Sequence, residues 1–167
     1  MFITVEELQG HAVKFDESFT QEHIDYLMEG LKQVGPLTVR GSARLVVEEI
    51  EIRGRVVASI EAICARCLEP VEHAVDLNFD LVYRPITSIT RGDEFQVPHG
   101  EEEIGFYREG RLLLEDVVKE QVLLSLPMKS ICRTDCRGLC PACGTNLNRE
   151  ACRCAGPIDP RWEKLKL

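Results

Sequence analysis

Six of the chain's eight cysteines fall between Cys132 and Cys154, in the run CRTDCRGLCPACGTNLNREACRC, and the other two form a C-x-x-C pair at Cys64 and Cys67. Thiols at this density serve as a disulfide scaffold, a metal cluster or a redox couple. The sharpest signal is Cys140-Pro-Ala-Cys143-Gly. Two thiolates two residues apart can aim at one ion if the chain turns tightly. Proline fixes φ inside that turn, and the glycine after the second cysteine permits positive φ, which leaves backbone N–H groups free to bond sulfur. A tetrahedral zinc ion takes four ligands at about 2.3 Å from each sulfur, so one such knuckle needs a second pair. Cys152-x-Cys154, across an eight-residue loop, is the nearest supply.

The other four cysteines then fall into Cys64-x2-Cys67 and Cys132-x3-Cys136, a second four-cysteine site that would clamp the C-terminal segment to the region around Cys64. A rival partition joins Cys132 and Cys136 to Cys140 and Cys143 and leaves the two outer pairs apart. Zn²⁺ is the expected cofactor. Four thiolates leave no open coordination position for substrate, so its expected role is to stabilise a flap and not to catalyse. A thioredoxin-like use of either C-x-x-C motif needs a βαβ context, whereas Cys64-Ala-Arg-Cys67 lies between two strand-like segments.

Reduced thiols fit the rest of the chain. Its first residues, MFITVEELQG, turn acidic by Glu6 and offer no basic segment ahead of an apolar one, so no signal peptide is expected. No apolar run approaches the ~18 residues needed to cross a bilayer. Cytosolic thiols are kept reduced, which favours metal over disulfide. A length of 167 residues with 44% hydrophobic and 29% charged positions suits a globular protein with one well-buried core.

The net charge of −8 argues against indiscriminate nucleic-acid binding, but it is unevenly spread. Residues 1–128 hold 12 Lys and Arg against 24 Asp and Glu, whereas residues 129–167 hold 8 against 4. The cysteine-rich end is the basic end. Arg133, Arg137, Arg149 and Arg153 ride on or beside the expected metal loop, Arg161, Lys164 and Lys166 follow it, and Arg66 sits between two thiols. They are candidate phosphate contacts. The blander role is neutralising the excess thiolate charge around the metal. No P-loop, G-x-S-x-G, dinucleotide fingerprint or H-E-x-x-H occurs, and His73, on an apolar strand face, reads as a hydrogen-bonded core or rim residue.

The elements that must position these residues show in the hydrophobic pattern. Thr4-Val5-Glu6-Glu7 has the capping-box form and predicts a short helical turn. Ile24, Leu27, Met28 and Leu31 share a period of 3.6, which predicts a helix over residues 20–33, stopped at Gly35-Pro36. LTVRGSARLVVEEIEI reads as one strand bent at Gly41, with Arg53-Gly54 as a turn. Next, Val56, Ala58, Ile60, Ala62 and Cys64 alternate onto one face, and after the Cys64–Cys67 tip so do Val71, His73, Val75, Leu77, Phe79, Leu81 and Tyr83. This period-2 pattern predicts an antiparallel sheet over residues 37–84 with one wet face. Residues 85–104 read as a surface loop, GFYREGRLLL as a small hairpin about Glu109-Gly110, and residues 114–126 as a helix with Leu114, Val117, Val118, Val122 and Leu126 inward. The expected class is α+β: an antiparallel meander with flanking helices as a core domain (1–128), and a basic, cysteine-rich zinc flap (129–167) packed on it.

The order of these motifs resembles the YceD-type family of large ribosomal RNA subunit accumulation proteins. The resemblance rests on Cys64-Ala-Arg-Cys67 within a β region, an acidic loop, the helix from Leu113 to Pro127, and C-x3-C-x-G-L-C-P-x-C-G-x-x-L-N from Cys132 to Asn148; it covers roughly residues 3 to 155. It implies a cytoplasmic role in ribosome biogenesis, with 23S rRNA or a precursor large subunit as partner, and it supplies no reaction and no catalytic residue. The expected function is therefore a non-enzymatic factor promoting accumulation or assembly of large-subunit rRNA. The alternatives are an adaptor that binds a ribosomal protein through the acidic body, including Glu101-Glu102-Glu103, and a thiol redox enzyme or nuclease. No membrane partner is expected.

Overall fold

The computed structural model describes residues 1–88 and 104–154. The chain opens with β1 (Phe2–Thr4), a single-turn α1 (Val5–Leu8), β2 (Val13–Phe19) and a two-residue β3 (Lys32–Gln33). The long strands follow, β4 (Leu37–Val46), β5 (Glu49–Ile63) and β6 (Pro70–Pro85). After the segment that is not described come β7 (Ile104–Tyr107), β8 (Arg111–Leu113) and α2 (Leu114–Ser125). One sheet has the order β2-β4-β5-β6-β7, with β3 added beside β5, and β1 and β8 make a two-stranded sheet. All pairs are antiparallel except β6–β7, which is parallel. Among the described residues the architecture is α+β-like, with open sheets and two α-helices.

Alternation decides which face is buried. Val39 and Ala43 of β4, Ile50, Ile52, Val56, Ala58 and Ile60 of β5, and Val75, Phe79 and Tyr83 of β6 point into one core. Leu114, Val117, Val118 and Val122 of α2, together with Ile3 and Leu112, cover that face. Each large aliphatic buried in this way contributes about 1.5–3 kcal/mol relative to exposure. The opposite face carries cross-strand ion pairs: Arg40 with Asp16 at 2.9 Å, Arg53 with Asp80 at 2.9 Å, and Arg55 with Asp76 at 2.6 Å. Such exposed pairs fix register more than they stabilise.

Several expectations are met. Thr4 and Glu7 form the reciprocal capping box, α2 spans the anticipated range, and the alternating faces of β5 and β6 are as read. Others are corrected. The 16-residue stretch taken as one strand is β4 turning into β5 at Val47, whose φ is 61°. Gly54 is not a turn residue: it lies mid-strand, directly opposite Gly41. A Cβ at Gly41 would come within 2.1 Å of the Arg53 carbonyl and 2.6 Å of the Phe15 ring, and one at Gly54 within 2.7 Å of the Phe79 ring. The glycine pair thus makes room for two rings from the flanking strands, Phe15 opposite Gly41 and Phe79 opposite Gly54.

The helix expected over residues 20–33 does not form. Leu27 is 78% and Met28 57% exposed, while Ile24 and Tyr26 are buried. Asp25 accepts the Leu27 N–H at 2.8 Å in a local turn, and Leu27 adopts φ of 53°. Short polar side chains offer the backbone such alternatives to helix. The segment is then drawn into β3 by buried Gln33, which donates to the carbonyls of Phe19 at 2.9 Å and Gly35 at 2.6 Å. The hairpin expected at Glu109-Gly110 is a tight turn whose arms diverge, β7 to the large sheet and β8 to β1. Glu101-Glu102-Glu103 and most of the loop read over 85–104 lie outside the described residues, as do Arg161, Lys164 and Lys166.

Candidate metal centre

The β5–β6 hairpin pairs from Ile50 with Tyr83 out to Ile63 with Pro70, so its tip is the six residues Cys64 to Glu69. There Leu68 N–H donates to the Cys64 carbonyl at 3.0 Å and Cys64 N–H to the Glu69 carbonyl at 2.8 Å. The Cys140–Thr145 loop repeats this scheme: Gly144 N–H donates to Cys140 at 2.8 Å, and Cys140 N–H to Thr145 at 2.8 Å. The residue after the second cysteine has positive φ in both, 60° at Leu68 and 73° at Gly144. The two C-x-x-C motifs are therefore the same knuckle, one of them built without the glycine.

Residues 129–148 fold back onto the hairpin tip. Ala65 N–H donates to Ser130 at 2.8 Å and Leu139 N–H to Arg66 at 3.1 Å. The Arg66 guanidinium reaches the Cys136 carbonyl at 2.9 Å, and His73 Nε2 meets Ser130 Oγ at 3.0 Å. Gly138, at φ of 73°, lets the backbones approach, since a Cβ there would lie 3.0 Å from the Arg66 carbonyl.

This docking gathers the sulfurs into two groups of four, Cys64, Cys67, Cys132 and Cys136, and Cys140, Cys143, Cys152 and Cys154, each with its sulfurs within 4.8 Å of one another. These are the groups that pairing by spacing favours over the rival partition. In the first, Cys64 and Cys136 are 4.0 Å apart, and Cys67 and Cys132 3.6 Å. A tetrahedron with metal–sulfur bonds of about 2.3 Å has an edge of about 3.8 Å, whereas a disulfide needs about 2.05 Å. All eight thiols are free. The donor set therefore fits a tetrahedral metal ion.

Polar groups around the first tetrad are arranged for anionic sulfur. The N–H groups of Cys132, Cys67 and Arg66 bring the Cys64 thiol down to about 6. Cys67 moves the other way, to about 12: the Glu69 N–H lowers it, but burial and the neighbouring thiols of Cys64, Cys132 and Cys136 outweigh that pull. In the second tetrad the Thr145 side chain and N–H bring Cys143 to about 6, while Cys154 beside it rises to about 12. Four like charges in one small site cannot all persist unless a cation shares it.

The spacing of cysteines gave no hint of Asn148. Its amide NH₂ donates to Cys136 Sγ at 3.4 Å, and its carbonyl accepts from Arg137 N–H at 2.8 Å and the Arg133 guanidinium at 3.0 Å. The candidate arginines are not equivalent. Arg66 caps the Cys136 carbonyl, Arg133 also lies 3.4 Å from Asp135, and Arg149 pairs with Glu69. Arg137 and Arg153 are exposed, and their side chains have no hydrogen-bond or ion-pair partner among the described residues.

Both tetrads fall inside the match to a family described as large ribosomal RNA subunit accumulation protein YceD, which extends over residues 52–167. The chain belongs to the YceD family. An uncharacterized protein of Mycobacterium tuberculosis is 38% identical over 120 residues, 72% of this chain and 56% of the relative. One of Mycobacterium leprae is 32% identical over 130 residues, 78% of this chain and 58% of the relative. The YceD-family chain thus spans less than two thirds of these relatives' length. No solved structure matches it. No helix among the described residues is long and apolar enough to cross a membrane.

Proposed function

We propose that this YceD-family chain is a non-enzymatic, cytoplasmic ribosome-biogenesis factor that promotes accumulation and assembly of 23S rRNA. In this reading two structural zinc ions order a basic flap, residues 129–167, the one at Cys64, Cys67, Cys132 and Cys136 pins it to an acidic body, residues 1–128, and the flap faces the RNA. The carrying observation is the match to a family described by accumulation of large-subunit rRNA, whose span includes both tetrads. Zinc is the choice because four thiolates in a tetrahedral arrangement suit it, and such closed sites stabilise without offering substrate a position. The packing of the flap on the body is supported by an apolar cluster that spans both, Cys64, Cys67 and Val71 with Cys136 and Leu139, separate from the main core. A thiol redox enzyme is disfavoured by the setting of Cys64 and Cys67, at a hairpin tip and not at a helix N-terminus.

Asn148 acts as an outer partner of the first tetrad. Replacing it with leucine is expected to lower zinc affinity at that site about 10- to 100-fold. Competition against a chromogenic chelator measures this, and unchanged affinity would reduce Asn148 to a loop brace.

Arg137 and Arg153 are the first candidates for phosphate contact, because Arg66 is committed to the Cys136 carbonyl and Arg133 and Arg149 must exchange partners. The test is binding to precursor large-subunit rRNA across a salt series. Each arginine changed to serine should reduce the slope of log K against log salt by about one while zinc content is unchanged. Unchanged slopes, with binding to a ribosomal protein instead, would move the functional surface to the acidic body.

A further inference from the structure

The two tetrads differ in their surroundings. In the first, Cys64, Cys67 and Cys136 are 0%, 3% and 4% exposed, and only Cys132 reaches solvent. Its sulfurs come from two chain segments tied together by Ala65–Ser130, Leu139–Arg66 and the Arg66 guanidinium, so its ligands separate only if the flap undocks. In the second, Cys140 alone is buried, Cys152 is half-buried, and Cys143 and Cys154 are both exposed. All four belong to residues 140–154, and the two exposed sulfurs lie within 4.8 Å of each other.

We propose that Cys143 and Cys154 form a peroxide-sensitive thiol switch that opens the second tetrad while the first stays closed. The release of metal rests on the zinc reading above, and the switch adds regulation to the RNA-facing surface. Metal-bound cysteine is thiolate, and exposed thiolate is the form that peroxides oxidise. Cys143 Sγ attacks one oxygen of hydrogen peroxide: an S–O bond forms, the O–O bond breaks, and the leaving hydroxide takes a proton to become water. Cys154 Sγ then attacks the sulfenic sulfur. An S–S bond forms, the S–O bond breaks, and a second hydroxide leaves and is protonated. Two thiolates, one peroxide and two protons become one disulfide and two waters, with two electrons passing from sulfur to oxygen.

The tetrad is left with Cys140 and Cys152 as donors, too few for a stable site. The loop carrying Arg149 and Arg153 then exchanges its metal cross-link for a disulfide between its own two ends and is no longer tied to Cys140 and Cys152. Cys132, although exposed, has no exposed partner in its own tetrad to complete the same chemistry.

The experiment uses the purified full chain and hydrogen peroxide. Zinc per chain is measured first by elemental analysis, released zinc is then followed with a chromogenic chelator, and disulfides are mapped by mass spectrometry. The expected result is loss of one zinc of two, in step with a Cys143–Cys154 disulfide, and recovery on adding a thiol reductant and zinc. Cys154→Ser should form no disulfide at Cys143 and leave a trappable sulfenic acid there. Release of both ions together, a disulfide mapped to the first tetrad, or no disulfide under peroxide that oxidises a free-thiol peptide would overturn the switch. If the starting protein held no zinc, the zinc reading would fail separately. The same map would still decide the pair: a Cys143–Cys154 bond upholds the switch and its absence overturns it.

Discussion

Replacing Cys64 with serine should remove one zinc ion from the chain and free the flap from the sheet. Cys64 is fully buried at the end of β5, and its sulfur receives the Cys132 N–H at 3.4 Å, so it belongs both to the tetrad and to the docking interface. Structural zinc in small domains supplies about 10–16 kcal/mol of apparent binding free energy at neutral pH. Without it the flap has only a few hydrogen bonds and a five-residue apolar cluster to hold it down. The main core is a separate cluster and should stay folded. Limited proteolysis should therefore cut the variant near residues 126–132 and leave a protected fragment containing the sheet, with zinc falling from two ions per chain to one. Loss of the sheet along with the flap would show that the two units fold as one.

The second large effect is expected at a site with no chemistry. Gly41→Ala places a Cβ 2.1 Å from the Arg53 carbonyl and against the Phe15 ring. The carbonyl belongs to a central strand and cannot move without breaking the β4–β5 ladder. Overpacking of this kind costs about 3 kcal/mol, or a fall in Tm of roughly 6–12 °C for a chain of this length. Thermal unfolding followed by circular dichroism measures it. A change within about 1 °C would mean that β4 and β5 part at this point more easily than their register implies.

Gly41 and Gly54 also show where sequence reading stops. Alternation in β5 and β6 was plain because one face is apolar and the other charged, and side chains of a strand have no third direction. A glycine inside a strand carries no such mark. Only the partner strands tell that Phe15 and Phe79 fill the space above it, and those contacts are 26 and 25 residues away in sequence. The stretch from Thr20 to Gln33 failed for a related reason. Ile24, Leu27, Met28 and Leu31 satisfy a helical period by spacing alone, while the bonds that decide the conformation run from Asp25 to its own turn and from Gln33 to Phe19 and Gly35. At the metal centre, short ligand spacings are local and were legible. That Arg66 caps the Cys136 carbonyl, and that Asn148 serves Cys136 Sγ, depends on how residues 129–148 dock on the hairpin tip.

The most direct measurement is crosslinking of the native chain to precursor large ribosomal subunits separated by sedimentation. The account predicts that the chain co-sediments with these particles and that crosslinks to 23S rRNA come from peptides within residues 129–154, including those that carry Arg137 and Arg153. Crosslinks confined to a ribosomal protein and to the sheet, or a chain that stays at the top of the gradient, would contradict it.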